Sequence, residues 1–263
     1  MILFILALGF VLRLISINQS FWLDEATSAT VATGLSVTQI INSFSPGDFH
    51  PPVYYILLNL WAGLFGSSEL ALRLPSILFG LGSIFFAYKI ALKVFDKSTA
   101  VLTALFLTIN PLHIYYSQEA RMYSLAMFLV VLTVYCFIHK RFWLTGVLFA
   151  LAVFSDYLTV FMLPIFLMNK HSFKNLAKVF LPLLVFGLAW IGIFSQQFSR
   201  GLSVKTNTSA WWDILGRTSP KQIALISVKF IIGRISFVDK YIYSAVIGWT
   251  LVISGLGLVK ANR

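Results

Sequence analysis

Residues 70–90 read LALRLPSILFGLGSIFFAYKI. In this run only Arg73 and Lys89 carry charge. About 20 apolar residues are needed to carry a helix across roughly 30 Å of hydrocarbon, and this stretch supplies them. Helix is the expected form, because backbone groups in lipid must be satisfied within the segment itself. The rest of the chain repeats the pattern. Residues 1–17, 99–112, 122–138, 179–198 and 241–258 are also apolar runs, and 99–112 is short enough that its far end should sit in protein or a wet cavity. The sequence is 59% hydrophobic and 11% charged, with a mean hydropathy of +0.86. A soluble domain would need more polar surface. The expected fold is therefore an all-α, polytopic membrane protein.

Basic residues give an orientation. Lys89, Lys93 and Lys97 mark one cytoplasmic loop, Lys140 with Arg141 a second, and Lys170, Lys174 and Lys178 a third. Lys260 and Arg263 mark a cytoplasmic C-terminus. The segment 18–69 has no Lys or Arg and is expected outside. The first apolar run lacks a basic leader and a small-residue cleavage site, so it reads as an uncleaved helix. About eight crossings follow if 142–168 crosses twice. Only 28 residues separate Arg141 from Lys170, whereas two full spans need about 40. The stretch is either a pair of short helices broken around Ser155-Asp156-Tyr157 or one tilted helix. The pair is preferred, since it leaves Asp156 at a wet surface.

Two loops exceed a connector's length: 18–69 and 199–240. In the first, 53–65 is too short to span and should lie in the interface, started by Pro51-Pro52 and stopped by Gly66. In the second, 221–237 carries Gln222, Lys229 and Ser236 among aliphatics, as in an amphipathic surface helix. No repeat or soluble domain is evident, so 1–263 reads as one transmembrane module. Cys136 is the one cysteine, which excludes an internal disulfide and a Cys-based zinc site. The net charge of +11 is spread over loops without a nucleic-acid motif, so it reports topology and contact with anionic headgroups.

Four polar clusters stand out. Asp24-Glu25 follows the first apolar run in a chain with nine acidic residues. Adjacent carboxylates at a membrane boundary are costly and point to a site, although they could also cap the next helix. Asp48-Phe49-His50-Pro51-Pro52-Val53-Tyr54-Tyr55 presents an imidazole on a backbone stiffened by two prolines, or simply starts a helix. Tyr116-Ser117-Gln118-Glu119-Ala120-Arg121-Met122-Tyr123 crowds polar groups into a turn between apolar helices. There Glu119 and Arg121 either close the hairpin as an ion pair or face a ligand. Arg217 and Lys221 lie in the basic set of the last loop. Arg13 and Arg73, near helix ends, are expected to snorkel. No metal signature is present.

Taken in order, Trp22-Leu23-Asp24-Glu25, His50-Pro51-Pro52-Val53-Tyr54-Tyr55, Leu70-Ala71-Leu72-Arg73-Leu74-Pro75-Ser76 and Tyr116 to Tyr123 resemble the membrane glycosyltransferases of the GT-C superfamily. The branch is that of protein O-mannosyltransferases and the lipid A aminoarabinose transferase. The resemblance runs from residue 1 to about residue 240 and implies that family's catalytic module. It implies transfer of a sugar from a polyprenyl-phosphate carrier to a lipid, glycan or protein acceptor on the outer face of the membrane. It also implies that Asp24 is the base and that Glu25 orients it or contacts substrate. His50, Tyr54, Tyr116, Gln118, Glu119, Arg121 and Tyr123 would form the substrate pocket, with Arg217 and Lys221 as further phosphate contacts. No cofactor or metal is expected.

The residues suit that chemistry. A phosphate leaving group is a weak base and needs no general acid. One carboxylate takes the acceptor's proton, and attack from the opposite face inverts the anomeric centre. A cation stabilises the departing phosphate. The alternatives are a small transporter or lipid flippase using the same charges as a relay, and a non-catalytic subunit. Against the transporter, the halves show no inverted repeat and no matching broken helices.

Overall fold

The computed structural model describes residues 1–168 and 172–207, with isolated positions (228–229, 233, 241–242, 244–245 and 248–249) beyond. Every element among them is helical. The helices are α1 (Ile2–Leu14), α2 (Leu23–Gly34), α3 (Val53–Phe65), α4 (Glu69–Val94), α5 (Lys97–Ile109), α6 (Pro111–Ser117), α7 (Tyr123–Ile138), α8 (Phe142–Val153), α9 (Leu163–Leu167) and α10 (Phe173–Asn207). Tight turns wind through 37–47, and a 3-10 turn (Tyr157–Met162) leads into α9.

Local chemistry sets most boundaries. Ser68 caps α4, accepting from Ala71 N, with Glu69 in the first turn and Lys93 in the last. Asp96 caps α5 through Thr99 N. Asn110 ends α5 and caps α6, with Pro111 at the first helical position. Gly66 stops α3 at φ 86°, a left-handed conformation that glycine adopts without strain.

Pro75, Pro111, Pro164 and Pro182 lie in or at the start of helices, and a proline cannot donate to the carbonyl four residues back. Pro75 frees Ala71 O, which accepts from Trp61 Nε1 of α3 at 2.8 Å. Pro111 frees Leu107 O, which accepts from Arg13 of α1. Pro182 frees Lys178 O, against which Gly146 of α8 packs. A Cβ built at 146 would lie 2.4 Å from that oxygen. At Pro111 the break is a 61° bend, and at Pro75 and Pro111 a side chain of a neighbouring helix donates to the freed carbonyl.

The bundle core is built by α4 and α7, with α3 and α8 alongside. Tyr54, Leu58, Leu72, Leu125, Leu129 and Ala152 form one buried cluster, and Ser124 Oγ donates to Ser76 O across the α4–α7 contact. Large apolar side chains cover the outside of α1 and α10, including Leu3, Phe4, Leu184 and Leu188. That exterior suits lipid and not water.

Among the described residues, two helices are long and apolar enough to cross a membrane: Glu69–Val94 and Phe173–Ser203. A third span results if α5 and α6, bent by 61°, count as one. Helix length therefore does not carry the expected count of about eight. The reason is shortness: α1 ends at Leu14, so its 13 residues reach only about 20 Å. The break expected in 142–168 is present, since α8 ends at Val153 and Asp156 caps the next turn through Leu158 N at 2.9 Å. The bend at Asn110 likewise fits the short 99–112 run. α10 continues to Asn207, past the expected end at 198. The expected surface helix at 221–237, most of the last loop and most of the last span lie outside the described residues.

Candidate active site

Asp24 and Glu25 occupy the first turn of α2, where the helix dipole favours negative charge. Their surroundings differ. Glu25 is 2% exposed and bound on both oxygens. Arg73 of α4 donates to it twice, Nε to Oε1 at 2.9 Å and Nη2 to Oε2 at 2.7 Å. Ala120 N also donates to Oε1, at 2.7 Å. The same guanidinium holds the carbonyls of Ile17 and Gln19 and lies over the Phe21 ring. One buried pair thus fixes the end of α1, the start of α2 and the turn at 118–121.

Asp24 is half-buried. Its carboxylate makes no hydrogen bond among the described residues, while its carbonyl accepts from Ser28 Oγ and Arg121 Nη1. Arg121 is 3% exposed. Its donors reach neutral groups at long range: Ser28 Oγ at 3.3 Å, Tyr55 Oη at 3.4 Å and His50 Nε2 at 3.5 Å. Its Nε has no partner among the described residues. Burial works against the Arg121 charge, but Tyr55, Tyr123 and Asp24 outweigh it and hold the pKa above the ordinary value. This buried cation is under-satisfied, and a hydrogen-bonding anion would complete it.

His50 faces Arg121 with one nitrogen and Asp48 with the other, at 3.3 Å. Tyr55 Oη donates to Asp48 at 2.8 Å. Burial raises the Asp48 pKa, but hydrogen bonds and charge from His50, with the Tyr55 bond, bring it below the usual carboxylate value. His50 is thereby oriented so that its Nε2 accepts at the Arg121 side.

Of the residues singled out from sequence, Asp24, His50 and Arg121 converge here, with Glu25 beneath them. Tyr54 is buried in the bundle core. Tyr116 and Tyr123 contact each other at 4.8 Å and line a cavity of about 210 Å³ with His113, Ser117 and Ser124. Gln118 donates to the carbonyls of Arg13 and Ile15, tying the turn to the end of α1. Glu119 is buried in that turn, and Arg121's hydrogen bonds go to the neutral partners named above. Arg217 and Lys221 lie outside the described residues. No group of three or more His, Cys, Asp or Glu that could hold a metal occurs among the described residues.

Two expectations fail. Arg13 and Arg73 do not snorkel: they are 0% and 4% exposed. Arg13 donates to Gly9 O and Thr108 O as well as to Leu107 O, and lies 2.6 Å from His113 Nδ1. The carbonyls loosened at the α5–α6 break attract it inward. The sequence reading also missed Gln197 of α10, which buttresses the His50 loop, and Tyr157 and Trp190, which hold Gln197. The available signal was a glutamine within an apolar run.

The arrangement is that of an all-helical membrane protein in which the buried Arg121 guanidinium contacts the Asp24 carbonyl and lies within reach of the Asp24 charge. Residues 49–196 match the family described as dolichyl-phosphate-mannose-protein mannosyltransferase. That is more than half of the sequence, and the chain belongs to this family of GT-C glycosyltransferases. The matched range contains His50, Arg73 and Arg121, and Asp24 and Glu25 precede it. The chain is also similar to a Bacillus subtilis (strain 168) protein named "Putative mannosyltransferase YycA". The two are 27% identical over 122 residues, which cover 43% of this chain and 18% of the relative. The chain therefore aligns with under a fifth of that protein. No solved structure matches the chain.

Proposed function

We propose that the chain transfers a sugar from a polyprenyl-phosphate carrier to an acceptor hydroxyl on the outer face of the membrane, with inversion. One observation carries this reading: Asp24, whose carboxylate makes no hydrogen bond among the described residues, sits at Arg121, a buried cation whose hydrogen bonds among those residues go to neutral groups at 3.3–3.5 Å. In this reaction Asp24 takes the acceptor's proton as its oxygen attacks the anomeric carbon. The bond from that carbon to the phosphate oxygen breaks, and Arg121 takes up the charge left on the phosphate. His50 Nε2 lines the same space. Glu25 has no free oxygen for substrate, so its role is to hold α2 and the 118–121 turn in place through Arg73 and Ala120. The family description and the relative's name both make mannose the first sugar to try. Acceptor class is open between lipid, glycan and protein.

The test is a transfer assay with purified protein and a panel of polyprenyl-phosphate sugars. Asp24→Asn should lose about 10²–10⁴-fold in rate with an unchanged melting profile. Arg121→Lys should weaken donor binding, since an ammonium cannot copy bidentate contact with phosphate. Near wild-type turnover in folded Asp24→Asn would remove Asp24 from the reaction. Unchanged donor affinity in Arg121→Lys would shift the phosphate contact to Arg217 and Lys221.

A further inference from the structure

Gln197 lies on α10 within the run IGIFSQQF and is 4% exposed. A buried amide among apolar neighbours is unfavourable unless each polar atom is bonded. Here each one is. Nε2 donates to Ser45 O at 2.8 Å and to His50 O at 3.2 Å. Oε1 accepts from Tyr157 Oη at 2.7 Å, and Tyr157 Oη accepts from Trp190 Nε1 at 2.8 Å. Trp190 and Gln197 are seven residues apart, which is about two turns, so they project from one face of α10. Tyr157 comes from the turn after α8.

The two carbonyls that Gln197 holds lie at opposite ends of segment 45–50. That segment carries Asp48 and His50 and contains Gly47. Its further anchors lie outside α10: Ser45 Oγ donates to Ile40 O at 2.8 Å, Tyr55 Oη donates to Asp48 at 2.8 Å, and Asp48 N donates to Phe44 O at 3.2 Å. An apolar residue at 197 would fill the same space without touching the segment's backbone. The His50–Arg121 contact is already at 3.5 Å, the edge of hydrogen-bonding range, so a small drift of the segment would break it.

We propose that Gln197 is a positioning residue. It clamps segment 45–50 to α10 so that the His50 imidazole faces Arg121, and Tyr157 and Trp190 fix the direction of its amide. The link from clamp to transfer rests on the reading that His50 and Arg121 receive the donor phosphate. The clamp itself does not.

Gln197→Met keeps the shape and removes the amide. Hydrogen exchange of segment 45–50, read by mass spectrometry on full-length protein, should speed up by about 3–10-fold, the equilibrium factor of one or two hydrogen bonds. Exchange in α4 and α7 should not change. In transfer from polyprenyl-phosphate mannose, the donor KM should rise by about 10-fold or more, as misplacement of a contact group predicts. In a His50→Ala background, Gln197→Met should cause no further rise, because both changes remove one function. Gln197→Glu should fail to rescue, since a carboxylate cannot donate to the two carbonyls. If Gln197→Met does not fold, Tyr157→Phe carries the test, and exchange in 45–50 must still rise. Unchanged exchange in 45–50, or effects of Gln197→Met and His50→Ala that simply add, would overturn the proposal. If wild-type protein transfers no polyprenyl-phosphate sugar, the phosphate reading falls, and the exchange data still decide the clamp.

Discussion

Arg73→Met should be among the most damaging single substitutions in this chain. Arg73 is 4% exposed and Glu25 2% exposed, and they share two hydrogen bonds of 2.9 and 2.7 Å. Removing one partner leaves Glu25 with Ala120 N alone, inside protein. Breaking a buried pair this way costs about 3–5 kcal/mol, and loss of the bonds to Ile17 O and Gln19 O adds to it. A chain of this size loses about 2–4 °C of melting temperature per kcal/mol, so the midpoint should fall by about 10 °C. Thermal unfolding in detergent, followed by tryptophan fluorescence, measures this. One control isolates the charge. Adding Glu25→Gln to Arg73→Met should recover part of the loss, because the amide still accepts from Ala120 N and no lone charge remains. A fall under about 3 °C, or a double variant weaker than Arg73→Met, would refute the pairing argument.

Three further outcomes are expected. The Asp48 pKa is lowered in the fold, so its pairing contributes stability above the unfolded value of 3.8, lost as pH falls below it. Asp48→Asn should flatten the stability–pH curve there, and an unchanged curve would deny the His50–Asp48 contact. Gly146→Ala should destabilise by about 1–3 kcal/mol through overpacking against Lys178 O and Val179 O, whereas Gly192→Ala, which meets nothing within 4 Å, should be tolerated. A melting comparison of the two checks it. Cysteines placed at the exposed Ser43 and Ser98 should label from opposite sides of the membrane, with 43 outside. The native Cys136 is buried and should stay silent.

What the sequence disclosed was local. Pro51-Pro52 and Gly66 bracket α3 because rigid and left-handed backbone act within a few residues. Asn110-Pro111 announces a bend for the same reason, and Asp156 announces the break after α8. The candidates Asp24, His50 and Arg121 stood out by residue type, since charges and imidazoles are scarce in so apolar a chain, and their proposed roles came from the family resemblance. Pairing at a distance was not legible. Nothing in LALRLPS says that Arg73 turns inward to Glu25, because hydropathy does not distinguish a guanidinium that reaches a headgroup from one that reaches a carboxylate. Arg13 was misread in the same way, its acceptors being carbonyls that exist only once Pro111 breaks a helix. Helix length supports two or three of the crossings counted from apolar runs, because apolar length measures what can be buried, and short helices such as α1 and α8 are buried partly against their neighbours.

The junction at Glu25 also bears on how the protein is made. Its cation arrives 48 residues later, at Arg73, and its third contact 95 residues later, at Ala120. During synthesis α4 would enter the bilayer carrying a guanidinium whose buried acceptors, Glu25 and the carbonyls of Ile17 and Gln19, all lie upstream at the end of α1 and the start of α2. The two should therefore insert as one neutral hairpin. The acidic turn would then stay unfinished until the ribosome has passed residue 120. A chain stalled before that point has the first turn of α2, with Asp24, held through Glu25 by Arg73 and not by Ala120, so the site is complete only after α5 and α6 have taken their place.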